Sequence, residues 1–276
     1  MNKTNIEWVK NPDGTQGYTW NPITGCLNGC EYCYARKLAN GRLKERYLAN
    51  KNAAPAKGNV LLPNLGFVEM NPFYPRFWPE RLKELNPTGV ALMVPWSKDR
   101  GIFICDMSDL FGIGIPEDWT QQVLAEIKQY SWHRFYLLTK QPQNLIKFSP
   151  FPDNCWVGVS CSDEIMLTKA YSPLKAIQAK VKYISFEPLL NSDMSVVDLE
   201  WTLRDIGISW VIIGAQTKPY KPPKIEWVEE ITEVCGKAGV PVFLKDNLKP
   251  LLRAGGWKIG EHKWITWLRQ EMPKAI

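Results

Sequence analysis

The sequence predicts an α/β protein built as a partial (β/α) barrel of about six to seven parallel strands. Short segments of almost continuous apolar and β-branched residues recur along the 276-residue chain, as in strands covered on both faces. Amphipathic segments lie between several of them, and alternating strands and helices form parallel βα units. The length suits one barrel of about 200 to 250 residues or more, so we expect a single domain over residues 1–276.

Seven segments are predicted to contain strands. They are residues 18–25, 101–108, 134–140, 155–161, 181–190, 210–217 and 241–246. Residues 116–130 begin with proline and two acidic residues, which favour a helix start, and residues 224–239 end at a glycine, which favours a helix end. A helix-like segment, residues 34–48, follows the first strand. Residues 50–100 contain several prolines and are predicted to form an irregular insertion.

The composition is typical of a soluble globular protein. The chain has no run of about 18 apolar residues, so we expect no membrane span and no membrane partner. Its N-terminal residues lack the apolar stretch of a secretory signal, and we therefore expect a cytoplasmic location. The formal net charge of +6 permits a polyanionic partner without requiring one.

Three of the seven cysteines, Cys26, Cys30 and Cys33, fall within eight residues. In a reducing compartment, a tight cysteine group holds a metal more often than a disulfide. The spacing lets three thiolates bind three irons of a 4Fe–4S cluster, which leaves the fourth iron open for a substrate or cofactor. Gly25 and Gly29 each precede a cysteine, and we expect them to adopt unusual backbone angles and to permit close approach of a bulky cluster.

A structural zinc site is the alternative metal centre. Zinc usually takes four ligands in two pairs, and the second pair is missing here, because His133 and His262 each stand alone in the sequence. The spacing favours the cluster over zinc. The other four cysteines, Cys105, Cys155, Cys161 and Cys235, are expected to be buried in the core, although Cys161 could instead face a cavity and donate a hydrogen atom.

The cysteine spacing, with Tyr32 directly before the third cysteine, resembles the signature of the radical SAM superfamily. The blocks "TWNPITGC", "DMSDLFG", "LLTKQPQNL", "ISFEPLL" and "VFLKD" resemble those of a phage-associated, largely uncharacterised radical-SAM-like family. Residues 214–217 depart from it, with Gly-Ala-Gln-Thr where members usually have Gly-Gly-Glu-Ser. The resemblance implies a barrel of radical SAM type, in which S-adenosylmethionine chelates the open iron and is cleaved to a 5′-deoxyadenosyl radical. It also implies an electron donor such as flavodoxin or ferredoxin.

Polar residues follow most of the predicted strands, and barrels collect their active sites at the carboxyl ends of strands. Candidate cofactor-binding residues are Tyr32, Asp106, Ser108, Asp109, Ser160, Glu187, Gly214 and Gln216. Candidate catalytic residues are Glu187, Lys140 and Lys245. By the resemblance, Tyr32 would lie near the adenine, and residues after the second strand would hold the methionine amino group. The alternative for each charged residue is a solvated group, but the apolar context of Glu187 would force its carboxylate to pair or to stay protonated.

A basic and aromatic stretch follows the cysteines. Its cations are Arg36, Lys37, Arg42, Lys44, Arg46, Lys51 and Lys57, and its later aromatic residues are Phe67, Phe73, Tyr74, Phe77 and Trp78. Cations that contact phosphates and rings that stack on bases, here Tyr74 or Trp78, are typical of single-strand binding. The alternative is a solvated helix face followed by a packed insertion.

Together these observations predict a radical SAM enzyme that modifies or repairs a nucleic acid or nucleotide-like substrate, with single-stranded nucleic acid as its partner. Two alternatives remain open. One is a non-catalytic nucleic-acid-binding module in which the cysteines bind a metal that only stabilises the loop. The other is a degenerate barrel that serves as a partner subunit.

Overall fold

All seven predicted strand segments contain strands in the structure, which is a computed structural model of the chain. The structure describes residues 1–55, 70–85, 99–192, 196–254 and 268–273. The chain divides into two compact units. The first contains residues 1–144 and 152–155, and the second contains residues 145–151 and 156–276. The expectation of a single domain stays a prediction.

The first unit is built on parallel strands. Its strands are β1 (Asn2–Lys3), β2 (Tyr18–Trp20), β3 (Ile23–Thr24), β4 (Arg76–Phe77), β5 (Gly101–Ile104) and β6 (Arg134–Thr139). β2, β5 and β6 pair in parallel, β1 joins β2 antiparallel, and β3 pairs with β4 antiparallel. All four residues of β5 are buried, as its continuous apolar sequence predicts.

The helices of the first unit are α1 (Tyr34–Asn40), α2 (Lys44–Ala49) and α3 (Glu117–Gln129). The helix predicted within residues 116–130 is confirmed as α3, which buries Val123 and Ile127. The helix-like segment predicted over residues 34–48 is two helices instead. The chain turns at Gly41, which caps α1 with φ −106° and ψ −117°, angles outside the helical region.

The structure describes part of the predicted insertion, residues 50–100. β4 pairs with β3, and a 3₁₀ helix covers Pro79–Leu85. Residues 56–69 and 86–98, with Lys57 and Phe67, lie outside the described residues.

The described aromatic side chains of this insertion, Phe73, Tyr74, Phe77 and Trp78, are buried. The indole Nε1 of Trp78 donates to Thr24 Oγ1 at 2.8 Å, and the guanidinium of Arg81 lies 4.0 Å from the centroid of the indole ring. The prediction that Tyr74 or Trp78 stacks on a base is therefore wrong, because both rings are buried in the first unit and leave no face open to a base. The alternative of a packed insertion is confirmed for these residues.

The second unit repeats the parallel strand pattern. Its strands are β7 (Cys155–Ser160, whose first residue belongs to the first unit), β8 (Val181–Phe186), β9 (Trp210–Ile213), β10 (Gln216–Thr217), β11 (Tyr220–Lys221) and β12 (Val242–Leu244). β7, β8, β9 and β12 pair in parallel in that order, and β10 and β11 form an antiparallel hairpin.

The helices of the second unit are α4 (Glu164–Ala176), α5 (Val196–Ile206), α6 (Ile225–Ala238) and α7 (Lys249–Ala254). α6 is the helix predicted within residues 224–239. It ends at Gly239, whose φ of 72° gives the left-handed helix end that glycine favours.

The α/β class and the mostly parallel strands are thus confirmed, whereas the radical SAM type of partial barrel stays a prediction. The four cysteines expected in the core are buried, including Cys161. Among the described helices, none combines the length and the apolar character that crossing a bilayer requires. The cytoplasmic location also stays a prediction.

Candidate functional site

The cysteine loop (residues 26–33) begins at Gly25, whose backbone is fixed from two sides. The Gly25 N–H donates to the carbonyl of Met107 at 3.0 Å, and the Gly25 carbonyl accepts from the hydroxyl of Ser108. Gly25 has a φ of +84°, and an added Cβ would lie 2.3 Å from the carbonyl oxygen of Tyr74. Both the conformation and the space therefore require glycine at the entrance of the cysteine loop.

At Gly29, only the backbone conformation favours glycine. Its φ is +77°, but no heavy atom lies within 4 Å of an added Cβ. The predicted unusual backbone angles are therefore confirmed at both glycines. The close approach at Gly25 is to the chain itself, whereas Gly29, beside Cys30, borders open space.

The three thiols of the cysteine loop are half-buried and unbridged. Cys26 and Cys33 pack against a buried cluster that includes Phe73. Cys26 Sγ accepts from the N–H of Asn28 at 3.4 Å, and Cys33 Sγ caps α1 by accepting from the N–H of Arg36 at 3.3 Å. Hydrogen bonds from the backbone therefore hold two of the three sulfur atoms in place.

Burial raises the pKa of the Cys26 and Cys30 thiols. The charge of Asp109 adds to this rise at Cys26, whereas the charge of Lys140 opposes it at Cys30. Thiols with a raised pKa are poor nucleophiles at neutral pH, but a coordinating metal deprotonates such a thiol. The cysteine loop is therefore better suited to metal binding than to nucleophilic catalysis.

A hydrogen-bonded bracket fastens the middle of the cysteine loop to the end of β6. The Asn28 amide nitrogen donates to Asp109 Oδ2 at 2.8 Å, and its oxygen accepts from the Gln141 amide at 3.0 Å. Asp109 Oδ2 also accepts from the N–H of Lys140 at 2.9 Å, and Asp109 Oδ1 accepts from the N–H of Phe111 at 3.1 Å.

Asp109 is buried, and the hydroxyl of Thr139 is its fourth hydrogen-bond donor. A carboxylate has about four acceptor positions, so the chain itself fills those of Asp109. Burial raises the pKa of Asp109, and the four donors oppose that rise. Asp109 thus acts on the cysteine loop as a positioning residue, and its predicted contact with a cofactor stays a prediction.

Lys140 and Tyr32 lie together beside the cysteine loop. The ammonium of Lys140 is 5.6 Å from the centroid of the Tyr32 ring, within the range of a cation–π contact. The same ammonium group acts electrostatically on Cys30. The structure therefore brings a predicted catalytic residue and a predicted cofactor contact to one side of the cysteine loop.

Asp106 contacts the start of α1, immediately after the third cysteine. The hydroxyl of Tyr34 donates to the Asp106 carbonyl at 2.7 Å and to its carboxylate at 3.3 Å. The amide of Asn21 donates to Asp106 Oδ1 at 2.5 Å. Burial raises the pKa of Asp106, and these side-chain donors oppose the rise.

A single metal ion and an iron–sulfur cluster demand different arrangements of three thiols. With Zn–S bonds of about 2.3 Å, two thiolates on one tetrahedral zinc lie about 3.8 Å apart. Within the described ranges, no three His, Cys, Asp or Glu side chains are arranged to hold a metal ion. Cys26, Cys30 and Cys33 nevertheless interact electrostatically with one another. The three thiols of the cysteine loop are therefore close enough to interact but do not form a site for a single metal ion.

A second group of predicted residues lies in the second unit. The carboxylate of Glu187, just after β8, pairs with the ammonium of Lys245, just after β12. Their side chains are 25% and 12% exposed, so the pair is largely shielded from water. The hydroxyl of Ser160, at the end of β7, donates to the Glu187 carbonyl at 3.3 Å. Pairing is thus one of the two outcomes that the apolar sequence around Glu187 predicts.

Gly214 lies against this ion pair. An added Cβ would be 2.9 Å from Lys245 Cδ and 3.3 Å from Glu187 Cγ, so the pair occupies the space of a side chain. The amide of Gln216, in the hairpin of β10 and β11, donates to the Pro219 carbonyl at 3.0 Å. The predicted cofactor contacts of Gly214 and Gln216 stay predictions.

Both groups also contain amide side chains that are not among the residues predicted from the sequence. Asn28 and Gln141 complete the bracket of the cysteine loop, and Asn247 binds the backbone of Ala215 with bonds of 2.8 and 3.0 Å. Gln141 falls inside the block "LLTKQPQNL", which was the available signal for it.

A family model described as "Protein of unknown function (DUF5131)" matches residues 3–258. No curated protein and no solved structure matches the chain. The matched span includes the cysteine loop, its bracket and the Glu187–Lys245 pair.

Proposed function

We propose that this chain, which belongs to the DUF5131 family, is a radical SAM enzyme that modifies or repairs a nucleic acid or nucleotide-like substrate. The cysteine loop carries the proposal, because it presents three unbridged thiols within eight residues and two of their sulfurs already accept backbone N–H bonds. For the parallel strands, we propose a partial barrel of radical SAM type.

In this proposal, Cys26, Cys30 and Cys33 hold a 4Fe–4S cluster. When bound, the cluster supplies the electron that cleaves S-adenosylmethionine to a 5′-deoxyadenosyl radical. Each cysteine of such a cluster binds a different iron, so its thiolates need not converge on one point. Neighbouring thiols that fail to form a single-ion site are therefore compatible with this ligand set.

Residues of the first unit hold the cysteine loop in place. The Asn28–Asp109–Gln141 bracket fixes the middle of the cysteine loop, and the Ser108–Gly25 bond fixes its entrance. Groups that orient metal ligands in this way raise metal affinity. The ammonium of Lys140 favours ionisation of the Cys30 thiol.

Further residues of the first unit are proposed to contact S-adenosylmethionine. Tyr32 would contact the adenine, and the carboxylate of Asp106 would accept from the methionine amino group. Lys140, above the Tyr32 ring, would place a positive charge beside the bound cofactor. An acidic electron-transfer protein such as flavodoxin or ferredoxin would supply the electrons.

For the second unit, we propose that Glu187 and Lys245 exchange a proton with a bound ligand. The ammonium of Lys245 can donate a proton and the carboxylate of Glu187 can accept one, and both groups lie in a largely shielded position, which suits acid–base chemistry. Ser160, Gly214 and Gln216 would line the same ligand position.

Metal content distinguishes this proposal from its main alternative. Protein reconstituted anaerobically with iron and sulfide is expected to bind about four irons and four sulfides per chain, with a brown chromophore. Protein purified without reconstitution serves as the control for metal acquired during expression. One zinc per chain and no iron uptake would contradict the proposal and favour a metal-stapled module without catalysis.

A further inference from the structure

Most of the net charge of the chain lies in the basic segment (residues 36–51). This segment contains six cations and one acid, a net charge of +5, whereas the whole chain of 276 residues has a net charge of +6. A charge concentrated in this way creates a local positive potential, which attracts a polyanion more strongly than an even distribution would.

The cations of the basic segment are accessible. Arg42, Lys44 and Arg46 are exposed, and no carboxylate in the described part of the chain forms an ion pair with any of them. Arg46 lies over the buried ring of Trp78, with its guanidinium carbon 5.9 Å from the ring centroid. This contact orients the guanidinium without neutralising its charge.

A groove of about 520 Å³ continues from the basic segment. Its lining includes Arg46, Lys51, Asn52, Trp78 and Glu80. The volume falls within the range of sites that bind small ligands, about 300 to 1,000 Å³. The cations suit phosphate oxygens, whereas the amide of Asn52 and the carboxylate of Glu80 can hydrogen-bond a base edge or a sugar hydroxyl.

The basic segment is continuous with the cysteine loop. Cys33 caps α1, and Arg36 lies in the first turn of that helix. α1 has seven residues, so it extends about 10 Å from the cysteine loop. A single strand of nucleic acid bound along the basic segment would therefore run toward the proposed cluster.

We propose that the basic segment and its groove bind the backbone of single-stranded nucleic acid, with one nucleotide held in the groove. The inference deepens the proposed function by naming its substrate class, and it rests on that function for the chemistry. An enzyme that acts on a base needs it outside a duplex stack, which favours a single strand. Because the aromatic rings are buried, phosphate contacts rather than stacking carry the binding.

Binding of a fluorescent 20-nucleotide single strand, in DNA and RNA forms, tests this inference on the reconstituted protein. Six phosphate contacts predict that affinity falls about 300-fold between 50 and 200 mM salt, since each contact contributes about 0.7 to the logarithmic slope. In the triple variant Arg42→Ser, Lys44→Ser, Arg46→Ser, affinity at low salt is lower, and the same change in salt weakens binding only about 20-fold.

A matched control removes three exposed cations elsewhere, as Lys128→Ser, Lys180→Ser and Lys221→Ser. This control has the same net charge as the first triple variant, and we expect it to bind like the unsubstituted protein. Undetectable or salt-insensitive binding in the unsubstituted protein, or an equal loss in both variants, overturns the inference.

Two further measurements on the same samples separate the possible failures. A basic-segment variant that binds the strand normally but loses reduction by flavodoxin assigns this surface to an acidic redox protein instead, which also overturns the inference. Iron content is measured in parallel. An intact cluster without strand binding overturns this inference alone, whereas strand binding without any cluster overturns the proposed function.

Discussion

Replacing Cys26, Cys30 and Cys33 together with alanine is expected to lower reconstituted iron and sulfide from about four per chain to background, with loss of the brown chromophore. The three thiols are the proposed ligands, and the four remaining cysteines are buried, so they cannot substitute for them. Iron, acid-labile sulfide and visible absorbance, measured after reconstitution, check this result.

Circular dichroism must show that the triple variant is folded, because Cys26 and Cys33 pack against the buried cluster beneath them. Cys235→Ala, on α6, makes the same chemical change outside the cysteine loop, and this control should keep its full iron content. A folded triple variant that binds as much iron as the unsubstituted protein, with the same absorbance, would show that the ligand assignment is wrong.

Asp109→Asn is expected to lower the free energy of unfolding by about 2 kcal/mol and to reduce the amount of cluster that each folded chain holds. The carboxylate accepts four hydrogen bonds, two of them from Asn28 and Lys140. An amide nitrogen in place of either oxygen would face the donors from which that oxygen now accepts, and those buried donors would lose their partner. Urea unfolding of the apoprotein measures the stability change, and iron content measures the effect on the cysteine loop.

The control for this substitution is Asp153→Asn, an exposed residue of the same unit. We expect it to change stability by less than about 0.5 kcal/mol and to leave iron content unchanged. If Asp109→Asn lowers stability but each folded chain still loads a full cluster, Asp109 stabilises the unit without positioning the cysteine loop.

The strands could be predicted because continuous apolar segments have few alternatives to burial on both faces. β5 and β7, which are buried at every position, follow this rule directly. The division of the helix-like segment after the cysteines was missed, because the amphipathic pattern continues past Gly41 although the backbone turns there. Local composition predicts an element more securely than its ends.

Composition alone does not predict whether the aromatic residues of the insertion are exposed or buried. The same rings suit a stacking surface or a core, and only the packed chain distinguishes the two. The indole N–H of Trp78 donates to Thr24, which is 54 residues away in sequence, and the guanidinium of Arg81 covers the indole ring. These contacts keep Trp78 buried. Arg42, Lys44 and Arg46, which precede these rings, stay exposed, and the electrostatic part of the predicted surface stays a prediction.

The cysteines could be identified from spacing, whereas their bracket could not. Asn28 bonds to Asp109 and Gln141, which are 81 and 113 residues away in sequence. No local pattern connects an amide between two cysteines with a carboxylate after β5. Glu187 is an intermediate case, because its apolar surroundings predicted that it would be paired or protonated, but did not identify Lys245 as the partner.

The release of 5′-deoxyadenosine is the most direct test for radical SAM chemistry in this protein. Protein carrying a reconstituted cluster is reduced with dithionite, given S-adenosylmethionine, and analysed for 5′-deoxyadenosine, with the Cys26, Cys30 and Cys33 triple variant as the control. Three thiolates leave one iron open for the cofactor, so we expect cleavage by the unsubstituted protein and none by the triple variant. A complete cluster whose spectrum does not change on adding S-adenosylmethionine, with no cleavage under several reductants, would contradict the proposed function and favour a partner subunit.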